Sequence, residues 1–259
     1  SFSNSPTSDF FAMSILELDE ETQQTTLVHS YAVAGGDLKD HIRYMYHIVK
    51  NFNLEMICID NAGYQFIDSC NENGLFKNDK IELKFFDFRS DLEGADYDKE
   101  LLKARRAYNK EGGVICFKQV FASEWLRKAN EHLQASIDHK KIWFASKAVA
   151  NPEAFNRYSS QRITIKNIPE PTVLEFIEAQ DALIYQTKKQ CTLVEVKTTA
   201  RGTQTFDLPQ HLKRSTSANR ARKDNYTTLM LSSWAAKCYF DMMAKPMEDN
   251  TGTFVPTMI

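Results

Sequence analysis

The hydrophobic positions gather first in two strand-forming runs, Ala12–Asp19 and Thr25–Val33, and the short polar stretch Glu20–Gln24 between them predicts a β-hairpin. Gly35-Gly36 interrupts the pattern. Asp37 then offers a cap to a helix whose apolar residues, Leu38, Ile42, Met45, Val49 and Phe52, recur at spacings of three and four and so share one face. The run Leu54-Glu55-Met56-Ile57-Cys58-Ile59 reads as a buried strand ending at Asp60, and Asn61-Ala62-Gly63 turns it into a short helix over about Tyr64–Asn71. Gly74 closes that unit, and Ile81–Phe86 predicts a further strand. Residues 98–110 and Glu124–Ile137 have helical patterns, with an extended or docking segment at Val114–Phe121 between them. Short apolar runs do not separate helix from strand, so about 88–165 is the least defined region and is compatible with a helical insertion. A long helix from Pro171 to about Lys189 follows. Cys191–Thr199 and Gln204–Leu208 then flank Arg201-Gly202 as a second hairpin, and the basic stretch Lys213–Lys223 leads into an apolar helix over Asn225–Met243. The order strand, strand, helix, strand, helix, strand implies an α/β fold, a mixed sheet flanked by helices.

A chain of 259 residues with 42% hydrophobic composition can bury a substantial core as one domain, or as a domain with an insertion. Its 32 Lys plus Arg against 34 Asp plus Glu leave a net charge of -2, so any surface that attracts nucleic acid must be local. Five scattered cysteines without C-x-x-C spacing indicate neither a disulfide framework nor a zinc ribbon, and they fit a reducing compartment. No apolar stretch approaches the roughly 20 residues that span a bilayer, and no basic-then-apolar signal segment opens the chain. The sequence contains no G-x-x-x-x-G-K-[ST] loop for ATP. Ser1-Phe2-Ser3-Asn4-Ser5-Pro6 reads like the interior of a loop, so the chain is expected to be part of a longer polypeptide.

Two aspartates carry the chemical interest. Asp60 ends a central strand, where open α/β sheets place their chemistry, and Asp224 opens the last apolar helix. Converging carboxylates suit hard cations such as Mg²⁺ or Mn²⁺. Each also has an ordinary explanation, Asp60 as a turn residue and Asp224 as a helix-start residue favoured by the dipole. Asp9, in Ser8-Asp9-Phe10-Phe11, is a third acidic candidate whose simplest role is in a loop. His41 and His47 fall on a helix that needs a solvated face, and His211 lies near the basic stretch as a surface residue. Lys213, Arg214, Arg220, Arg222 and Lys223 form a cation run directly before Asp224. It is either a solvated face or a set of phosphate contacts that hold a nucleic-acid backbone without reading bases.

Three segments together resemble the C-terminal nuclease domain of the large terminase subunit of tailed bacteriophages, an RNase H-like family. They are Ser8-Asp9-Phe10-Phe11-Ala12-Met13, Met56-Ile57-Cys58-Ile59-Asp60-Asn61-Ala62-Gly63-Tyr64, and Gly202-Thr203-Gln204-Thr205-Phe206-Asp207-Leu208-Pro209 through Arg222-Lys223-Asp224-Asn225-Tyr226. The likeness spans most of residues 1–259 and is weakest over about 88–165. It implies an RNase H-like mixed sheet with the hairpin near its C-terminal part, and two-metal hydrolysis of double-stranded DNA by two divalent ions, Mg²⁺ or Mn²⁺. By the same resemblance Asp60 and Asp224 are catalytic metal ligands, Asp9 an accessory acidic residue, and the cation run a DNA contact. The aspartate of the family's first strand has no match, because that strand would end just before Ser1. The resemblance further implies an upstream ATPase motor domain in the same polypeptide, portal and small-terminase partners, no membrane association, and work in the host cytoplasm outside the mature virion. A junction-resolvase type of RNase H-like nuclease and a non-catalytic DNA-docking or assembly module are the alternatives.

Overall fold

The computed structural model describes residues 10–34, 37–61, 63–86, 88–111, 114–145, 173–199, 204–213 and 223–245. Its described strands are β1 (Phe10–Asp19), β2 (Gln24–Ala34), β3 (Met56–Asp60), β4 (Lys84–Phe85), β5 (Ile115–Gln119), β6 (Ile142–Phe144), β7 (Glu195–Thr198) and β8 (Gln204–Asp207). The helices are α1 (Leu38–Asn51), α2 (Tyr64–Glu72), α3 (Gly74–Asn78), α4 (Gly94–Glu111), α5 (Ser123–Asp138), α6 (Val173–Leu193), α7 (Gln210–Lys213) and α8 (Asp224–Ala244). The fold is mixed α/β. None of the described helices is long and apolar enough to cross a membrane.

The predicted first hairpin forms as β1 and β2, antiparallel from Phe10↔Ala34 to Asp19↔Gln24, with Val28 as an extra residue on β2 where the register shifts. Its turn is made locally. Asp19 Oδ1 accepts from the amides of Glu21 at 3.0 Å and Thr22 at 3.2 Å, while Gln23 takes a left-handed φ of 53°. Asp37 caps α1 as its position suggests, accepting from the Lys39 amide at 3.0 Å. The predicted apolar face of α1 is buried at Ile42 and Met45, and His41 joins it. His41 is therefore not a surface residue: it is fully buried and stacked on Phe11 at 4.3 Å. His47 is exposed as expected.

The described strands form a mixed sheet of order β1-β2-β6, and beside it, where one sheet was expected, a parallel sheet of order β3-β5-β4 and the separate β7-β8 hairpin. Two apolar layers sandwich both larger sheets. On one side α8 packs with α5, Phe117 of β5 and α4, against Leu16 and Leu18 of β1 and Met56 and Cys58 of β3. On the other, α1, α2 and α3 cover Phe11 and Met13 of β1 and Ile57 and Ile59 of β3. Alternate residues of β1 and of β3 thus face the same two layers, which puts the two strands in one plane. The five cysteines are unpaired thiols; burial pushes Cys70, Cys116, Cys191 and Cys238 up to about 12, and it raises Cys58 well above the ordinary thiol value.

Candidate functional site

β3 delivers Asp60 to its exposed carboxyl end, where the carboxylate folds over its own turn. Asp60 Oδ1 accepts from the Gly63 amide at 2.8 Å, and the Asp60 carbonyl accepts from the same amide at 3.1 Å. Glycine suits that position because a Cβ there would stand 3.1 Å from Ile59 Cβ and 3.4 Å from Asp60 Oδ1. Asp224 is the first residue of α8, half-buried, at the helix's positive end.

Long-range bonds fix where α8 starts. Asn225 Nδ2 donates to Ser30 Oγ of β2 at 3.3 Å and to Thr187 Oγ1 of α6 at 3.2 Å, and the two hydroxyls bond each other at 3.0 Å, all of them buried. The Tyr226 amide donates to Gln190 Oε1 at 2.9 Å. Such buried polar networks hold one geometry because every alternative leaves a group unsatisfied. They place Asp224 on the wall of the cavity that Asp60 also lines.

That cavity has a volume of about 930 Å³. β1 and β3 form two of its walls, α1 and α2 one cover, and α8 the other, through Asp224, Thr228, Leu231, Ser232, Ala235 and Tyr239. On a helix these positions form one stripe. Ser14 of β1 reaches this floor: its hydroxyl bonds Thr228 Oγ1 at 2.7 Å and its carbonyl accepts from Ser232 Oγ at 2.8 Å. The far end carries carboxylates that sequence reasoning missed. Glu20 accepts from Tyr239 OH at 2.8 Å, and Glu55 accepts from Tyr108 OH. The bond to Glu55, then burial, pushes the Tyr108 phenol up to about 12. The legible signal was the small and polar stripe on an otherwise apolar α8; nothing in sequence joined Glu20 to Glu55.

Asp60 and Asp224 thus share one cavity. Among the described residues no three His, Cys, Asp or Glu side chains form a group that could hold a metal ion. Asp9, Arg214, Arg220 and Arg222 lie outside the described residues, as does the side chain of Lys213 at the end of α7. Lys223 is engaged with β8, donating to the Phe206 carbonyl at 2.8 Å and lying 3.6 Å from Asp207 Oδ1. Near Asp60, Lys118 of β5 is exposed and lies 5.8 Å from the ring of Tyr64. No family model, no curated protein and no solved structure matches the chain.

Proposed function

We propose that the chain is a metal-dependent endonuclease domain of a viral DNA-packaging terminase, with an RNase H-like fold that hydrolyses phosphodiester bonds of double-stranded DNA. One observation carries the reading: Asp60 at the end of β3 and Asp224 at the start of α8 line the same cavity. Carboxylate oxygens suit Mg²⁺ or Mn²⁺, and Asp60 and Asp224 would hold the ions, with further ligands from Asp9 or water. Bound divalent ions would supply a hydroxide nucleophile at neutral pH and charge neutralisation at the leaving oxygen. The protein's own part is to fix Asp224 through Asn225, Ser30 and Thr187, and to keep Asp60 on the rigid end of a paired strand. Lys213, Arg214, Arg220, Arg222 and Lys223 would contact backbone phosphates, so binding falls as salt rises. In this reading the domain works in the host cytoplasm, joined to an ATPase motor and meeting portal and small-terminase partners.

Plasmid nicking in Mn²⁺ by the natural full-length polypeptide tests it. Asp60→Asn and Asp224→Asn are each expected to lower the nicking rate at least about 100-fold, with unchanged circular dichroism. A variant that cuts at the parent rate removes that residue from the site.

A second reading has an observation of its own. The Asp60 carboxylate already holds the Gly63 turn, an ordinary structural role, which fits a non-catalytic DNA-docking or assembly module. Duplex binding indifferent to EDTA, with no nicking in Mn²⁺, selects that reading.

A further inference from the structure

The parallel sheet ends, beside Asp60, in an exposed aromatic ring with a lysine at its side. The turn that Asp60 Oδ1 fastens to the Gly63 amide at 2.8 Å delivers Tyr64 as its next residue, the first of α2. Phe85 of β4 backs that ring, stacked on it at 4.3 Å and 27°, yet Tyr64 is 43% exposed. The ring is thus held at a fixed angle with part of its surface in solvent. β5 buries Ile115, Cys116, Phe117 and Gln119 and exposes Lys118, whose Nζ lies 5.8 Å from the centroid of the Tyr64 ring. Alternation along the strand puts Lys118 on the same face as Cys116, the face that α2 covers, so its side chain rises beside the first residue of that helix. Register sets Lys118 opposite Ile59, one position before the pair Asp60↔Gln119. Among the described residues no carboxylate forms an ion pair with Lys118.

A flat ring with a cation at its side recognises a flat π system that carries its own negative charge. A nucleotide has that form: its base stacks on the ring and its phosphate, one sugar away, meets the ammonium. An acyl chain offers the cation nothing to bind, and a cationic ligand is repelled by it. The base has to be unpaired, because inside a duplex both of its faces are covered by neighbouring bases. The place fits as well, since open α/β sheets take their ligands at the carboxyl ends of their strands.

We propose that Tyr64 and Lys118 form a subsite for one unpaired nucleotide of a DNA strand, its base stacked on the Tyr64 ring and its phosphate at the Lys118 ammonium. The choice of DNA rests on the nuclease reading, which the subsite deepens: the strand that reaches Asp60 has a base out of the duplex stack. Tyr64 then favours locally opened DNA over intact duplex, whereas Lys118 adds an attraction that is the same for every sequence. The Asp60 carboxylate repels a phosphate of any strand alike, so a comparison between strands isolates the ring.

Fluorescence anisotropy of the 259-residue chain with labelled oligo-dT, with an abasic strand of the same length and with a blunt duplex, all in EDTA, tests the subsite. Tyr64→Ala is expected to weaken oligo-dT binding about tenfold and to leave the abasic strand and the duplex within about twofold of the parent. Tyr64→Phe, which keeps the stacking face, is expected to bind oligo-dT as the parent does. Lys118→Ala is expected to weaken oligo-dT and the abasic strand by the same factor and to flatten the salt slope of each by about 0.7. Failure of the parent chain to bind oligo-dT overturns the proposal, as does a Tyr64→Ala loss that is absent or equal for oligo-dT and the abasic strand. Tighter binding of oligo-rU than of oligo-dT overturns the choice of DNA. Because EDTA removes cleavage from the measurement, the two readings fail separately. A Tyr64 effect on oligo-dT without nicking in Mn²⁺ by the natural full-length polypeptide keeps the subsite and removes the nuclease; nicking without a Tyr64 effect does the reverse.

Discussion

Burial of a histidine that does not line the cavity of Asp60 and Asp224 couples this fold to pH. His29 of β2 is buried, its Nε2 lies 2.5 Å from Tyr44 OH, and burial lowers its pKa from 6.5 to about 4. Between those values the unfolded chain binds a proton that the folded chain does not, so stability falls as pH drops from about 6.5 toward 4. Urea unfolding at pH 7 and pH 4.5 is expected to show a loss of about 2–3 kcal/mol assignable to this group. His29→Gln, which keeps a hydrogen-bonding partner for Tyr44, removes that part of the pH dependence; an unchanged slope assigns it elsewhere. At this scale the sequence was legible where an element announced its own end. Asp60 and Asp224 stood out because an apolar run stopped or began beside them, and Asp37 because a periodic face followed. His41 was misread because periodicity marks a face without showing what covers it, and Phe11, thirty positions earlier in the chain, does.

The last helix shows what an element owes to its neighbours. α8 buries residues around its whole circumference, from Asn225 and Tyr226 through Leu229, Trp234 and Cys238 to Met242, so it is a central core helix. Leu229→Ala, at a fully buried site, is expected to cost about 2–5 kcal/mol, read as a lower urea midpoint with unchanged slope. Asn225→Ala removes the donor that Ser30 and Thr187 share, leaving them bonded to each other and Thr187 also to the Leu183 carbonyl, and is expected to cost about 1–3 kcal/mol. A loss below a few tenths in either case contradicts the packing. Most helices were readable from period and caps. The misses have local causes. The predicted strand over Ile81–Phe86 shortens to Lys84–Phe85 because the side chain of Asn71 takes both the amide and the carbonyl of Leu83, each at 2.9 Å. α6 runs on to Leu193, past the expected break before Cys191, because Gln190 bonds the start of α8 and Cys191 packs against its core. β6 has only three residues, too few to show a period, and exists through its parallel pairing to Thr25–Leu27.

For the whole molecule, the sequence suggested a single mixed sheet, whereas the described strands form one mixed and one parallel sheet beside the β7-β8 hairpin. Local patterns report which residues form strands; pairing depends on edges brought together from far apart. Asp60 and Asp224 line one cavity while α8 packs on β3 through Met56 and Cys58. The burial of the thiols has a practical consequence. Because the thiolate is the reactive form, thiols held near 12 alkylate slowly in the folded chain and fast once exposed. Pulsed iodoacetamide followed by mass spectrometry is expected to give all-or-none labelling of Cys70, Cys116 and Cys238, counting the molecules that have opened. Cys58, on the wall of the cavity, offers a separate tally: labelling ahead of the other three would mark that cavity as the place where the fold first breathes.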